Sequence, residues 1–197
     1  FPLTYLTAWH MLMTLGGFKS GQDALILAAS SGVSTAAIQI ARLANARTVV
    51  AVTSDARKAD RIKALGADHV IIAEKPGILH RSLRKACPSG ADVVIEHLGG
   101  AWLMDCVRSV KPGGSIINCG ATAGFDAAID VRYFFSKEIS FKGALMGTLE
   151  ELRLITAHVA AGRLKPVIDS VMDLQDVRKA HEKMQSRELF GKIVIRG

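Results

Sequence analysis

The sequence predicts an α/β fold: a doubly wound parallel sheet of about six strands with a C-terminal α+β tail. Short, continuous apolar runs, of the kind buried on both faces of a parallel sheet, recur along the chain. They alternate with amphipathic stretches of helical length, a rhythm that builds βαβ units. Residues 24–55, ALILAASSGVSTAAIQIARLANARTVVAVTSD, hold one complete unit: a buried strand, a tight turn of small residues, a helix and a second buried strand.

The 197 residues are 49% hydrophobic and 22% charged with no low-complexity tract, which suits a globular chain with a sizeable core. No apolar run approaches the roughly 20 residues that a bilayer span needs. The chain opens Phe1-Pro2-Leu3 without a basic leader, so no signal peptide is read and a cytoplasmic location is expected; the missing initiator Met suggests a preceding segment. Cys87, Cys106 and Cys119 are odd in number and well separated, which predicts buried, reduced thiols. The net charge of +7 favours anionic partners. The basic residues are scattered, however, and two Trp and two Tyr offer little stacking, which argues against nucleic acid and for a phosphate-rich small ligand.

Taken in order, residues 3–15 are apolar all round and predict a largely buried helix ended by Gly16-Gly17. Residues 24–29 are the first strand, and 33–45 a helix whose Ala36, Ala37, Ile40, Ala41 and Leu43 make a face that can approach the sheet closely. The second strand is 48–53, followed by a basic helix, 56–65, stopped at Gly66, and by a short third strand, 68–72. A helix over 78–86 ends near Pro88-Ser89-Gly90. The fourth strand is 92–96, the next helix 101–110, and Lys111-Pro112-Gly113-Gly114 reads as a firm turn into a fifth strand, 115–119. A loop of small residues, a short helix over 131–135 and a sixth strand, 139–146, follow. After Gly147 the alternation stops: helix 149–161, extended 166–174, helix 175–185 and a final strand, 192–196. The chain therefore divides into a βα-alternating unit, 1–147, and a tail, 148–197, expected to pack on something else. Right-handed crossovers set the loops that follow the strands along one edge, beginning near Ala29, Thr53, Ile72, Glu96, Cys119 and Met146.

The first of these loops carries the chemistry. Ala29-Ser30-Ser31-Gly32-Val33-Ser34 fills the slots of G-x-G-x-x-G, with Ala, Ser and Ser at the three fingerprint glycines. Small residues throughout keep a phosphate cradle feasible, the backbone N–H groups of the turn and the helix start serving as donors to a diphosphate, with Ser31, Gly32 and Val33 as its contacts. Ser34 is expected to cost little, so Ser34→Gly should leave coenzyme affinity unchanged or better. At the end of the second strand an acid would bind a ribose 2′-hydroxyl. Thr53 stands there instead, followed by Ser54, Arg57 and Lys58, hydroxyls and cations that suit a 2′-phosphate and favour NADP(H) over NAD(H). Asp55 points the other way unless it caps the next helix, and a plain solvated helix start is the alternative. No Ser-His-Asp spacing, nucleophile elbow or carboxylate pair is present, so no catalytic residue is assigned.

Further stretches fall in a familiar order: Pro2-Leu3-Thr4-Tyr5-Leu6-Thr7-Ala8-Trp9-His10, then Ala28-Ala29-Ser30-Ser31-Gly32-Val33, then Ala64-Leu65-Gly66-Ala67-Asp68-His69-Val70. Pro112-Gly113-Gly114, Cys119-Gly120-Ala121 and Phe190-Gly191-Lys192-Ile193-Val194 continue it. Over essentially its whole length the chain resembles the medium-chain dehydrogenase/reductase superfamily, nearest the quinone-oxidoreductase-like and zinc-type alcohol-dehydrogenase-like branch. The resemblance implies a Rossmann coenzyme domain of an oxidoreductase that moves a hydride to or from a quinone, enone, aldehyde or alcohol, the cofactor carrying the reaction. It also implies a preceding GroES-like catalytic domain that supplies most of the substrate pocket. It places Thr7 beside the nicotinamide, His97 and Leu98 along the ribose and pyrophosphate, and Gly120, Ala121 and Thr122 past the nicotinamide. Segment 144–147, with Leu145 and Met146, would hold the carboxamide, and Lys192 would meet a phosphate. In zinc-dependent members a Cys ligand lies four residues before the Thr matched here by Thr7; Leu3 fills that slot, so no catalytic zinc is expected in this chain. The sixth strand resembles the family's dimer edge, which implies a homodimer through 139–146. Two other readings stay open: a stand-alone NADPH-binding sensor or partner module, and a Rossmann-like methyltransferase, which Thr53 in place of a ribose-binding acid makes the poorer fit.

Overall fold

The computed structural model describes residues 1–197. Six strands form one parallel sheet in the order β3-β2-β1-β4-β5-β6. They are β1 (Asp23–Ile26), β2 (Thr48–Thr53), β3 (His69–Ile72), β4 (Ala91–Glu96), β5 (Val110–Asn118) and β6 (Ser140–Gly143). The continuous apolar runs have a simple cause. Alternate residues of a strand point to opposite faces, and both faces here are covered. Ala24, Ile26, Val49, Ala51, Val93 and Ile95 face one apolar layer, and Leu25, Leu27, Val50, Val52 and Val94 face the other.

The first layer is covered by α1 (Pro2–Trp9), which continues as a π-helical turn over His10–Leu15, and by α2 (Gly32–Leu43). The second is covered by α4 (Leu79–Leu83), through Leu79 and Leu83, and by α5 (Trp102–Ser109), through Leu103, Cys106 and Val107. The remaining helices of this part are α3 (Ala59–Ala64), after a 3-10 turn at Ala56–Lys58, and α6 (Arg132–Lys137). The tail contains α7 (Leu149–Ala160), β7 (Ile168–Asp173), a 3-10 turn (Leu174–Asp176), α8 (Val177–Gln185) and β8 (Lys192–Arg196). Its Ile155, Leu164 and Phe190 enter the first apolar layer, while β7 and β8 make a separate two-stranded parallel sheet. One fastening is a reciprocal amide pair. Lys165 N–H donates to Gln39 Oε1 at 2.9 Å and Gln39 Nε2 returns a hydrogen bond to the Lys165 carbonyl at 3.1 Å. The Tyr5 hydroxyl donates to that same carbonyl at 2.6 Å.

Several expectations shift. The first strand stops at Ile26 rather than residue 29, because Ala28 turns the chain with φ +45°. Lys111-Pro112-Gly113-Gly114 is not a turn before the strand but a bulge inside β5: the pairing jumps from Ala91↔Val110 to Val93↔Ser115 while the chain stays beside β4. The first helix changes from α to π geometry at His10. The sixth strand keeps only four of its eight expected residues, Ser140–Gly143, and three residues after it ends the backbone turns left-handed at Met146, φ +55°. The short helix expected over 131–135 spans Arg132–Lys137. No helix is long and apolar enough to cross a membrane.

Ala28 bears a conformation that costs an L-residue about 1–2 kcal/mol and glycine little. After the flexibility that glycine adds to the unfolded chain, Ala28→Gly should still raise stability by about 0.5–1 kcal/mol, read as a higher denaturation midpoint with an unchanged denaturant slope.

Candidate dinucleotide site

The strand order reverses between β1 and β4, so the loops leaving these neighbours diverge and open a crevice at the carboxyl edge of the sheet. Residues 28–31 enter it from β1 and residues 97–100 from β4. Ser31 is extended (φ −74°, ψ 160°) and caps α2, its Oγ accepting from Ser34 N–H at 3.2 Å. The N–H groups of Gly32 and Val33 then open the helix without intrahelical acceptors, at the end where an anion is favoured.

Ser34 corrects an expectation. It is fully buried, and its hydroxyl donates at 2.6 Å to the Leu27 carbonyl, just past the end of β1. It is therefore not a tolerated stand-in for glycine but the donor that satisfies a buried carbonyl where the ladder stops. His97 Nε2 lies 3.0 Å from Ser34 Oγ and 3.1 Å from Ser31 Oγ. Since Ser34 spends its hydrogen on Leu27, His97 must be the donor, in its Nε2–H form. Burial pushes the His97 pKa down, which keeps the ring neutral and suits that single donor. Ser31 Oγ accepts from His97 and from Ser34 N–H, which leaves its own hydrogen for a ligand in the crevice.

The loops after β4 and β5 are joined: Thr122 N–H donates to the His97 carbonyl at 3.2 Å and Ala123 N–H to that of Leu98 at 2.7 Å. Glu96, fully buried at the end of β4, accepts from Leu98 N–H at 2.5 Å, from Gly99 N–H at 2.7 Å and from the Asn118 side-chain amide. Asn118 in turn donates to the Gly120 carbonyl at 2.8 Å, and its own carbonyl accepts Ala144 N–H at 2.7 Å. Thus Leu98, Gly120, Ala121, Thr122 and the start of 144–147 are brought to one edge. Sequence reasoning missed Glu96 and Asn118; the available signal was an acid closing an otherwise apolar strand directly before Gly99-Gly100.

The tail reaches the same turn. Gly191 N–H donates to the Ser30 carbonyl at 2.8 Å, and the Lys192 stem crosses Gly32 so closely that a Cβ there would lie 2.6 Å from Lys192 Cε. At the end of β2, Asp55 caps the 3-10 turn, accepting Arg57 N–H at 2.9 Å, and the Arg57 guanidinium holds its carboxyl below the ordinary value. Arg57 and Ser54 are exposed. Lys58 is not the free cation that its spacing suggested. It is buried, its ammonium donates to the carbonyls of Arg187 (2.6 Å) and Leu189 (2.9 Å), and burial lowers its pKa. Thr7 is buried with Oγ1 donating to the Leu3 carbonyl at 2.8 Å, while Leu145 is 89% exposed.

The donors fit a dinucleotide: the N–H groups at the start of α2, a spare hydroxyl and a lysine beside the helix start. Leu3, in the slot where zinc-dependent relatives carry a ligand, has no ligand atom, and these residues contain no group of three or more His, Cys, Asp or Glu placed to hold a metal ion.

Comparison with known proteins agrees with this geometry. Residues 32–161 match the family described as zinc-binding dehydrogenase. The quinone oxidoreductase of Lama guanicoe is 31% identical, over 97% of this chain and 59% of that protein. The spectinabilin polyketide synthase system protein NorB of Streptomyces orinoci is 34% identical over 98% of this chain, which is 9% of that protein. An NAD-dependent alcohol dehydrogenase structure superposes with a TM-score of 0.93 at 35% identity, over 100% of this chain and 57% of the other. The 2-octenoyl-CoA carboxylase reductase CinF, in complex with NADP and 2-octenoyl-CoA, does so at 0.89 and 27%, over 99% and 48%. The chain thus spans less than two thirds of each of these proteins.

Replacing Ser34 by Ala or Gly strips the donor from the Leu27 carbonyl and an acceptor from His97. The expected loss is about 1–3 kcal/mol in urea unfolding, with weaker coenzyme binding, the reverse of a gain on restoring the fingerprint glycine.

Proposed function

Because the chain belongs to the zinc-binding dehydrogenase family, we propose that it is the coenzyme-binding half of an oxidoreductase that moves a hydride between NADP(H) and a quinone, enone, aldehyde or alcohol. The observation that carries this reading is the crevice between β1 and β4, where the start of α2, the spare Ser31 hydroxyl and Lys192 converge. In it, Ser31, Gly32 and Val33 bind the diphosphate, and the Lys192 ammonium offsets its charge. Neutral His97 holds the two serines in place without competing for the anion. Thr53, Ser54 and Arg57 receive the adenosine ribose and its 2′-phosphate, while Lys58 draws residues 187–189 against that side. Leu98 lines the ribose and pyrophosphate, Gly120, Ala121 and Thr122 pass the nicotinamide opposite Thr7, and Leu145 and Met146 hold its carboxamide. The bound coenzyme supplies or accepts the hydride; the protein orients it and excludes water.

The substrate pocket falls to a domain outside these residues, in keeping with the fully open side chains of Phe125 and Leu145 at this edge. Two copies pair along β6, whose four residues are all exposed and whose outer edge has no partner strand. A reducing, cytoplasmic setting agrees with three free cysteines, two of them buried, with burial raising Cys87 to about 12.

Titration followed by nicotinamide fluorescence should give tighter binding of NADPH than of NADH. Arg57→Ala should weaken NADPH about tenfold, the scale of one charge-assisted hydrogen bond, and leave NADH unchanged. Equal affinities in the unaltered chain would remove the 2′-phosphate assignment. In sedimentation at tens of micromolar the chain should run as a dimer and Phe141→Glu as a monomer; a monomeric unaltered chain would remove the pairing.

A further inference from the structure

We infer that Glu151 is a positioning residue for the nicotinamide end of the site, setting segment 144–147 through a cluster with His10, Thr14 and Thr148. The inference rests on the proposed function, which gives that segment the carboxamide. Glu151 is the third residue of α7, and part of its role is local: its carboxylate accepts Thr148 N–H at 2.6 Å, and the Thr148 hydroxyl accepts Glu151 N–H at 3.2 Å, a capping box. A capping box needs nothing more. Here two further donors come from the π-helical turn after α1, a geometry that recurs at functional sites. His10 Nδ1 lies 3.0 Å from both carboxylate oxygens, and the Thr14 hydroxyl donates to one of them. Burial pushes the carboxyl up in pKa, but Thr14, the Thr148 N–H and His10 together outweigh it, so the group is held ionised below its ordinary value.

What these donors immobilise is the strained end of the loop after β6. Met146 is left-handed at φ +55°, a conformation that persists only where its surroundings over-determine it. Gly147 lies against the carboxylate itself: a Cβ there would come within 2.6 Å of Glu151 Oε2 and 2.7 Å of Leu6 Cδ1. The other end of the segment is fixed by Ala144 N–H on the Asn118 carbonyl. Glu151 therefore links α1, which carries Thr7, to the one loop whose backbone would face the carboxamide.

The test separates the two ends of the coenzyme. The 197-residue chain is titrated with NADPH, following nicotinamide fluorescence, and with 2′,5′-ADP, which lacks the nicotinamide. Glu151→Ala should raise the NADPH Kd about tenfold and abolish the fluorescence gain, with the 2′,5′-ADP Kd unchanged. Glu151→Gln, which still accepts Thr148 N–H, should recover most of both readings. If Glu151→Ala fails to fold, Thr14→Val and His10→Phe decide, since both leave the capping box intact; each should weaken NADPH about threefold and spare 2′,5′-ADP. A folded variant with unaltered NADPH binding and fluorescence overturns the inference, as does an equal loss of both ligands, the mark of a purely structural role. An unaltered chain that binds neither ligand overturns the proposed function, and this inference with it.

Discussion

The hydrogen bond from the Ser34 hydroxyl to the Leu27 carbonyl ties the last turn of backbone leaving β1 to the first turn of α2. A carbonyl at that depth needs a donor, and the parallel ladder has no more to give there. A glycine in the third fingerprint slot lets helix and strand approach closely but brings no hydrogen. Serine gives up some of that closeness and closes the polar account within the turn. His97 then completes the arrangement from the far side of the crevice, donating to both serines at once. The cradle is thus built from a side-chain network where the glycine-rich version relies on bare backbone.

The same division of labour runs through the whole sheet edge. Between the faces of the sheet there is almost only hydrocarbon, and polar side chains gather where the strands end. Glu96 and Asn118 are buried or half-buried neighbours on adjacent strands, and together they brace three loops that have few apolar contacts of their own. The small residues of these loops keep space open for a ligand, and the stiffness that small residues cannot provide comes from the hydrogen bonds beneath them.

The chain's legibility follows from the range of the interactions involved. Strands β2 and β8 sit at the positions read from the sequence, because their apolar or alternating runs have abrupt polar edges. The bulge at Lys111–Gly114 was not legible, since Pro-Gly-Gly has the same local chemistry in a turn and in a bulge, and only the neighbouring strand decides. The small-residue turn could be located, but not the part Ser34 plays in it, because its acceptor depends on where β1 stops pairing. Lys58 looked like a phosphate ligand from its place after Thr53, yet its acceptors lie 129 and 131 residues further on. His10 and Glu151, 141 residues apart, belong to the same class. Local spacing reports what a backbone does; it is silent on partners that arrive from elsewhere.

The attachments of the tail have a kinetic consequence. Lys165 to Gln39 and Tyr5, Gly191 to Ser30, and residues 187 and 189 to Lys58 all close loops of more than a hundred residues. The turn between β1 and α2, by contrast, forms from groups within a dozen positions of one another. Loop closure grows more costly with separation, which favours the short-range turn over the tail's long-range contacts early in folding. During folding the turn between β1 and α2 should exist first as a floor without its outer wall, and the wall should arrive with the final collapse of the chain.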